Sequence, residues 1–449
     1  MKTRHINLLL GTAGLVILFA FALAGQVDIP GVISKKAEKP SIAVADMRGT
    51  GAAQQYMDVF NKTLWDELDN SGAFRMVPKT SYPLNLPQQP SDFRPPVLFS
   101  EWARPPVNTN YLAFGYTAVQ DNQILLYGNL FSVGQPDVQS ATVFPTRRYY
   151  GPINADGAKK VAREFAADIL KQFGVMSLSG TKIYFVSDRS GSKEIWSMDY
   201  DGSNQHQLTN LRAITNFPAV SADGKLFAFM TYAGGNPQIR IHTADTSRRQ
   251  TFVNPVSSSV TTPEFTPDGK TMLFAATIDG WLQLMTAGID GSGMHRLSNV
   301  KAIEVSPRVN PKTGTDLLFI SGRSGHQQLW HMNLDGTDRE MLTTGEGDVS
   351  NPSWSPDGHH IAFCWTRGYE PGNFNLFIMD IADRKYVQLT TNSGRNENPT
   401  WAPDGMHLVF SSMRGRVTQI YSMLADGTNV RQLTTQSNNL QPVWAKGTE

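Results

Sequence analysis

One pattern recurs through the last 270 or so residues: "NFPAVSADGKLFAF", "TTPEFTPDGKTMLF", "VSPRVNPKTGTDLLF", "SNPSWSPDGHHIAF", "ENPTWAPDGMHLVF" and a truncated "LQPVWAKG". Its leading prolines, Pro218, Pro263, Pro307, Pro352, Pro399 and Pro442, stand 43 to 47 residues apart. A fixed period of roughly 45 residues marks an array of small units that must stack to bury their apolar faces. Each copy carries a Phe in its second segment: Phe185, Phe229, Phe274, Phe319, Phe363 and Phe410. A third segment recurs as "EIWSMD", "QIRIHT", "LQLMTA", "QLWHMN", "NLFIMD" and "QIYSML". Most copies close on Leu-Thr, as at Leu208-Thr209, Leu342-Thr343, Leu389-Thr390 and Leu433-Thr434. Four short strands per repeat define a β-propeller blade. The copy at 181–209 lacks the Pro-led strand, and the copy at 440–445 consists of that strand alone. Together they make one blade, so the expected fold is mainly β: a six-bladed propeller over 177–449, closed by the C-terminal strand, with no free sheet edges.

The region before the repeats reads differently. "SIAVADM" (41–47) is a buried strand by its apolar run. Residues 53–70 place Met57, Phe60, Leu64 and Leu68 on one helical face. "AFRMV" (73–77) is a further strand, and the Pro-rich stretch 78–97 is a loop. "YLAFGYTAV" and "NQILLYGNLFSV" pair around Asp121-Asn122, and 155–173 form a second helix with Val161, Phe165 and Ile169 on one side. These make a small α/β domain over 41–176. At the start of the chain, Lys2, Arg4 and His5 precede the apolar run Leu8–Ala24, which ends on an A-x-A pattern. That is a secretory signal peptide over 1–24 with cleavage between Ala24 and Gly25. The alternative is a retained anchor, since about 17 apolar residues lie at the lower edge of a bilayer span. Residues 25–40 then form an extended segment and linker. Export leaves the single cysteine, Cys364, without an intramolecular partner, and its setting in "IAFCW" is that of a small core residue.

Forty Lys+Arg against 39 Asp+Glu give no global field for nucleic acid. "NPSWSPDGHHIAF" (351–363) brings together Ser355, Asp357, His359 and His360, which invites a catalytic reading. The same token recurs as Thr266-Pro267-Asp268-Gly269 and Ala402-Pro403-Asp404-Gly405, so no Ser is required by it. Pro, Asp and Gly in that order are turn chemistry. Asp201-Gly202, Asp290-Gly291, Asp335-Gly336 and Asp426-Gly427 supply a second set of turns. His359 and His360 are adjacent on a strand and point to opposite faces. No metal-ligand spacing, nucleophile elbow or phosphate loop occurs, so no catalytic residue, metal or cofactor is expected.

Topology puts both sets of tight turns on one face of the ring. The other face carries the less uniform loops and the residues that precede each blade's Pro, where recognition is usually placed. Candidate contacts there are Thr262, Arg323, Asn351, Arg367, Glu397, Asn398, Arg414 and Gln441.

The whole arrangement resembles the TolB family of periplasmic propeller proteins of Tol-Pal envelope systems. The resemblance rests on the signal peptide, on "IAVADMRGTGAAQQYMDVFNKTLWDELDNSGAFRMV", on the join "YFVSDRSGSKEIWSMDYDGSNQHQLT" and on the "SPDG" turns. It implies a non-enzymatic periplasmic adaptor supporting outer-membrane integrity and cell division, monomeric alone. It further implies that the propeller binds a peptidoglycan-associated lipoprotein and that the mature N-terminal segment engages a TolA-like inner-membrane protein. In this chain that segment is "GQVDIPGVIS", with Val27, Asp28, Ile29, Val32 and Ile33 as its contacts, a short extended peptide suited to strand addition. Two other readings compete. A lactonase-like hydrolase needs convergent carboxylates or His on the inner strands, which read "PAVS", "PEFT", "PSWS" and "PTWA", mostly apolar and small. A glycan-binding propeller needs exposed aromatics such as Tyr369.

Overall fold

The computed structural model describes residues 39–94, 99–256, 258–368 and 370–447. The expected cleavage site at Ala24 and Gly25, the N-terminal contacts Val27, Asp28, Ile29, Val32 and Ile33, and Tyr369 lie outside the described residues. Among the described residues no helix is long and apolar enough to cross a membrane.

Six four-stranded antiparallel sheets follow one another around a ring. Five are continuous in sequence, over 215–250, 260–296, 304–341, 349–388 and 395–432. The sixth joins Asn439–Ala445 to the strands Lys182–Ser187, Glu194–Asp199 and His206–Gln207, so the last strand closes the ring on the first. The repeated Phe side chains are fully buried in the second strand of every blade. They pack against the aromatic or large aliphatic residue of the inner strand: Phe265, Val309, Trp354, Trp401 and Trp444 are all buried. Replacing one such Phe with Ala would cost about 3–5 kcal/mol.

The Leu-Thr closure acts as a lock on the outer strand. Thr343 Oγ1 accepts from Leu329 N at 2.9 Å and donates to Gln328 Oε1 at 2.7 Å. Thr209, Thr390 and Thr434 do the same with Ile195 and Glu194, Leu376 and Asn375, and Ile420 and Gln419. A short outer strand has few ladder bonds of its own, and this buried side-chain pair fixes its register.

The N-terminal sheet has the order Arg75–Met76, Ser41–Val44, Tyr111–Gln120, Gln123–Ser132, Thr142–Pro152. Asp121 and Asn122 take positive φ values of 48° and 57° in the hairpin between its two long strands, as a tight two-residue turn demands. Helices Met57–Asn70 and Ala155–Gln172 cover one face, burying Phe60, Leu64, Val161, Phe165 and Ile169. The strand Thr142–Pro152 is an addition to the sequence reading. The loop 78–97 carries two single-turn helices, Lys79–Ser81 and Pro90–Asp92.

This domain rests on the tight-turn face of the propeller. Arg163 donates to Glu67 at 3.2 Å and to Asp201 at 2.8 Å, and Tyr200 Oη donates to Glu67. Arg431 reaches Asp69 at 3.3 Å, and His407 Nε2 meets the Asn70 carbonyl at 2.7 Å. Both lie at the C-terminal end of helix Met57–Asn70, where carbonyls lack intrahelical partners and basic groups are favoured. The opposite face of the ring is left uncovered by this domain.

Candidate functional site

A channel runs down the axis of the ring, lined by the six inner strands. Each inner strand shifts register at the residue before its Pro. Those residues, Phe217, Thr262, Ser306, Asn351, Asn398 and Gln441, all have φ between 48° and 55°. The left-handed region is costly for a β-branched or bulky side chain, yet six bulges repeat it, so the ring as a whole enforces it. The bulges form a narrow mouth at the loop face together with Pro218, Pro263, Pro352, Pro399 and Pro442.

Four of the predicted contacts, Thr262, Asn351, Asn398 and Gln441, are therefore brought together around that mouth. Two of them also stitch blades to each other: Thr262 Oγ1 accepts from Ser306 N at 3.2 Å, and Gln441 Oε1 accepts from Phe217 N at 2.7 Å. Asn351 Oδ1 accepts from Ser350 Oγ at 3.0 Å, and Asn398 Oδ1 from Ser411 Oγ at 3.0 Å. Glu397 sits beside them, paired with Arg395 Nε at 2.7 Å.

The predicted arginines lie at the same face but not as free cations. Arg323 is paired with Glu304, which has no solvent exposure, and its guanidinium stacks 4.6 Å from the Trp330 ring. Arg414 stacks 4.1 Å from Tyr421 and donates to Ser412 Oγ at 3.2 Å. Arg189 repeats the arrangement over Trp196 at 4.6 Å, donating to Ser187 Oγ at 2.9 Å. A Ser-x-Arg step at the end of the second strand thus clamps the aromatic of the third. Arg367 lies 5.3 Å over Trp365 and donates to the Thr344 carbonyl at 3.0 Å. Arg323 is thereby largely desolvated and paired, whereas Arg367 and Arg414 keep exposed surface above their stacks.

This face also presents apolar side chains. Ile214, Tyr232, Trp281, Ile303, Met413 and Val417 sit on its strand ends and connections and are 40–51% exposed. No repeated motif marks them, because they fall at strand ends and connections where the blades differ.

Behind the mouth the channel widens toward the tight-turn face into a chamber of about 370 Å³. The expectation of apolar, small inner strands needs correction here. Glu264 and Arg308 face the channel from adjacent blades and form an ion pair at 2.9 Å. Burial raises the Glu264 carboxyl above its usual range, against the pull of Arg308. The remaining positions at that level are Ala219, Ser353, Thr400 and Val443.

The residues of the turn token do not converge on a substrate site. Ser355 Oγ donates to Asp357, which also accepts from His359 N at 2.8 Å and faces His360 Nδ1 at 2.9 Å. His360 is buried and held within its own blade. Burial pushes the Cys364 thiol up to about 12, far from a nucleophilic thiolate. Among the described residues no His, Cys, Asp and Glu cluster suits a metal ion.

With this geometry in hand, comparison with known proteins places the chain. A family model described as a TolB beta propeller domain matches residues 171–369 and 337–448. The protein TolB homolog of Chlorobium chlorochromatii is 32% identical over 264 residues, 58% of this chain and 55% of that protein. The Tol-Pal system protein TolB of Bordetella pertussis is 26% identical over 337 residues, 73% of this chain and 71% of that protein. The alignment with the Chlorobium protein thus spans little more than half of that relative's length. The crystal structure of TolB from Acinetobacter baumannii superposes with a TM-score of 0.74 at 20% identity, covering 91% of this chain and 97% of that one. At that identity the likeness is one of fold.

Proposed function

Because this chain belongs to the TolB β-propeller family, we propose that it is a non-enzymatic periplasmic adaptor of a Tol-Pal envelope system. On this reading the loop face binds a peptidoglycan-associated lipoprotein, and residues 25–34 engage a TolA-like inner-membrane protein. The role is to support outer-membrane integrity and cell division.

The observation that carries the reading is the set of exposed apolar side chains on the loop face. Contiguous exposed apolar surface rimmed by polar residues marks a protein-binding site. Here Tyr232, Trp281 and Ile303 are exposed on the face whose central mouth is edged by Thr262, Asn351, Asn398 and Gln441. Large buried anchors supply most of an interface's energy, and the polar residues around them set register. The second domain covers the tight-turn face, which leaves the loop face for the partner. The arginines hold the aromatic framework beneath.

The test is calorimetric titration of the purified protein with the lipoprotein's soluble domain. Trp281→Asp with Ile303→Asp should weaken binding at least tenfold, roughly 1.4 kcal/mol or more, with an unchanged melting profile. Undiminished affinity in a folded double variant would move the partner off this face. Deleting residues 25–34 should leave lipoprotein binding intact and remove capture of the TolA-like protein.

A further inference from the structure

The chamber on the tight-turn side of the channel is not used by the adaptor role. Its waist carries one charged pair in a ring of otherwise small or apolar side chains: Glu264 and Arg308 against Ala219, Ser353, Thr400 and Val443. Above the waist the wall is formed by Phe265, Val309, Trp354, Trp401 and Trp444, with Ser221, Thr266 and Lys446 as its polar members. The pair is joined by one hydrogen bond, Arg308 Nη1 to Glu264 Oε2 at 2.9 Å. Arg308 spends its other bonds on carbonyls, Nε on Pro352 at 3.2 Å and Nη1 again on Pro307 at 3.3 Å. The guanidinium is thereby fixed in place, with Nη2 left over. Glu264 keeps 22% of its side-chain surface exposed and lines the chamber.

A buried ion pair costs desolvation that a single contact does not repay. The upward shift of the Glu264 carboxyl reports the same deficit, because burial outweighs its guanidinium neighbour. A third and fourth charge of the right signs would complete the pair. A carboxylate fits the free edge of the guanidinium, and an ammonium fits the free carboxylate oxygen. The apolar wall above them accommodates a hydrocarbon or aromatic side chain. A cavity of this size with apolar walls on one side and convergent polar groups on the other has the form of a small-molecule site.

We propose that the chamber binds a free α-amino acid with an apolar side chain, its carboxylate on Arg308 and its ammonium on Glu264. The site lies on the far side of the bulge ring from the loop face and does not depend on the adaptor reading. Three probes of one shape test it: phenylalanine, hydrocinnamate, which lacks the ammonium, and phenethylamine, which lacks the carboxylate. Binding to the purified protein is read by calorimetry and by the fluorescence of the chamber tryptophans. Phenylalanine should bind saturably, and each of the other two at least about tenfold more weakly, since a site with paired polar groups rejects the analogue that leaves one unpaired. Glu264→Gln should abolish the preference for phenylalanine over hydrocinnamate, and Arg308→Gln the preference over phenethylamine. Val443→Phe, across the waist from Arg308, should block all binding while leaving the pair untouched, so the test survives if either charge variant fails to fold. Absence of saturable phenylalanine binding, equal affinity for all three probes, or binding unaffected by Val443→Phe would overturn the proposal.

Discussion

Arg323 offers the sharpest check on the view that the loop-face arginines are framework rather than grip. Glu304, its partner, has no exposed surface, and its Oε2 is buried without another hydrogen bond. Arg323→Ala therefore strands a carboxylate inside the blade. Removing one member of a buried pair costs about 3–5 kcal/mol, and loss of the stack on Trp330 at 4.6 Å adds about 0.5–2 kcal/mol. For a domain of this size 1 kcal/mol moves the melting temperature by about 2–4 °C. The pair term alone then predicts a fall of about 6–20 °C. Arg414 supplies the internal control. It makes the same stack, over Tyr421 at 4.1 Å, but its side chain bonds a serine and no acid. Arg414→Ala should cost only about 1–2 kcal/mol, a partly exposed hydrogen bond to a neutral hydroxyl plus a partly exposed cation–π contact. The double variant Glu304→Gln with Arg323→Gln should recover most of the loss, because no charge is then left unpaired. Scanning calorimetry and urea melts of the four proteins settle the ranking. If Arg323→Ala melts with the parent protein, or no lower than Arg414→Ala, the framework assignment fails.

Two further outcomes follow from the geometry. Burial pushes the Glu67 carboxyl up to about 7 against the pull of Arg163; the folded state then holds a proton that the unfolded chain releases, so stability should fall as pH rises from about 4.5 to about 7 and level off above. Glu67→Gln should remove up to about 3 kcal/mol of that slope, measured by melts buffered across the window. Thr262→Asn relieves a β-branched residue at φ 48° while offering Oδ1 in place of Oγ1 to Ser306 N, and should raise stability by about 0.5–1 kcal/mol in urea titrations.

The blade array was legible because each blade solves the same problem with the same residues. Pro, Asp and Gly turn the chain, Phe fills the blade, and Leu-Thr locks its rim, so repetition reveals the fold before any one strand is assigned. The strand Thr142–Pro152 was hidden for the converse reason. Pro145 and the charged Arg147 and Arg148 interrupt its apolar alternation, and its pairing with Gln123–Ser132 slips register twice. The clamp of Arg over a third-strand aromatic needed the neighbouring strand in view, although Ser-x-Arg recurs at Ser187, Ser321 and Ser412. Glu264 and Arg308 stand 44 residues apart, one blade's length. Their meeting appears only when "PEFT" and "PRVN" are set in one column and the column is closed into a channel.

The same logic separates two copies of one turn token. Asp357 with His360 and Asp404 with His407 repeat a carboxylate–imidazole contact three residues apart, at 2.9 and 2.6 Å. As a blade device the two are interchangeable, and sequence repetition reads both as turns. In the second copy, however, His407 Nε2 also meets the terminal carbonyl of helix Met57–Asn70 at 2.7 Å. That copy thus carries part of the union between the two domains. Nothing in the token itself distinguishes them; the distinction comes from which blade lies beneath the other domain. Repetition is therefore strong evidence for what a residue does within a unit and silent on what it does between units. In a propeller, function is to be sought where the six copies stop being alike: at the exposed apolar residues of one face, at the Glu264–Arg308 pair in the channel, and at the turns that another domain rests upon.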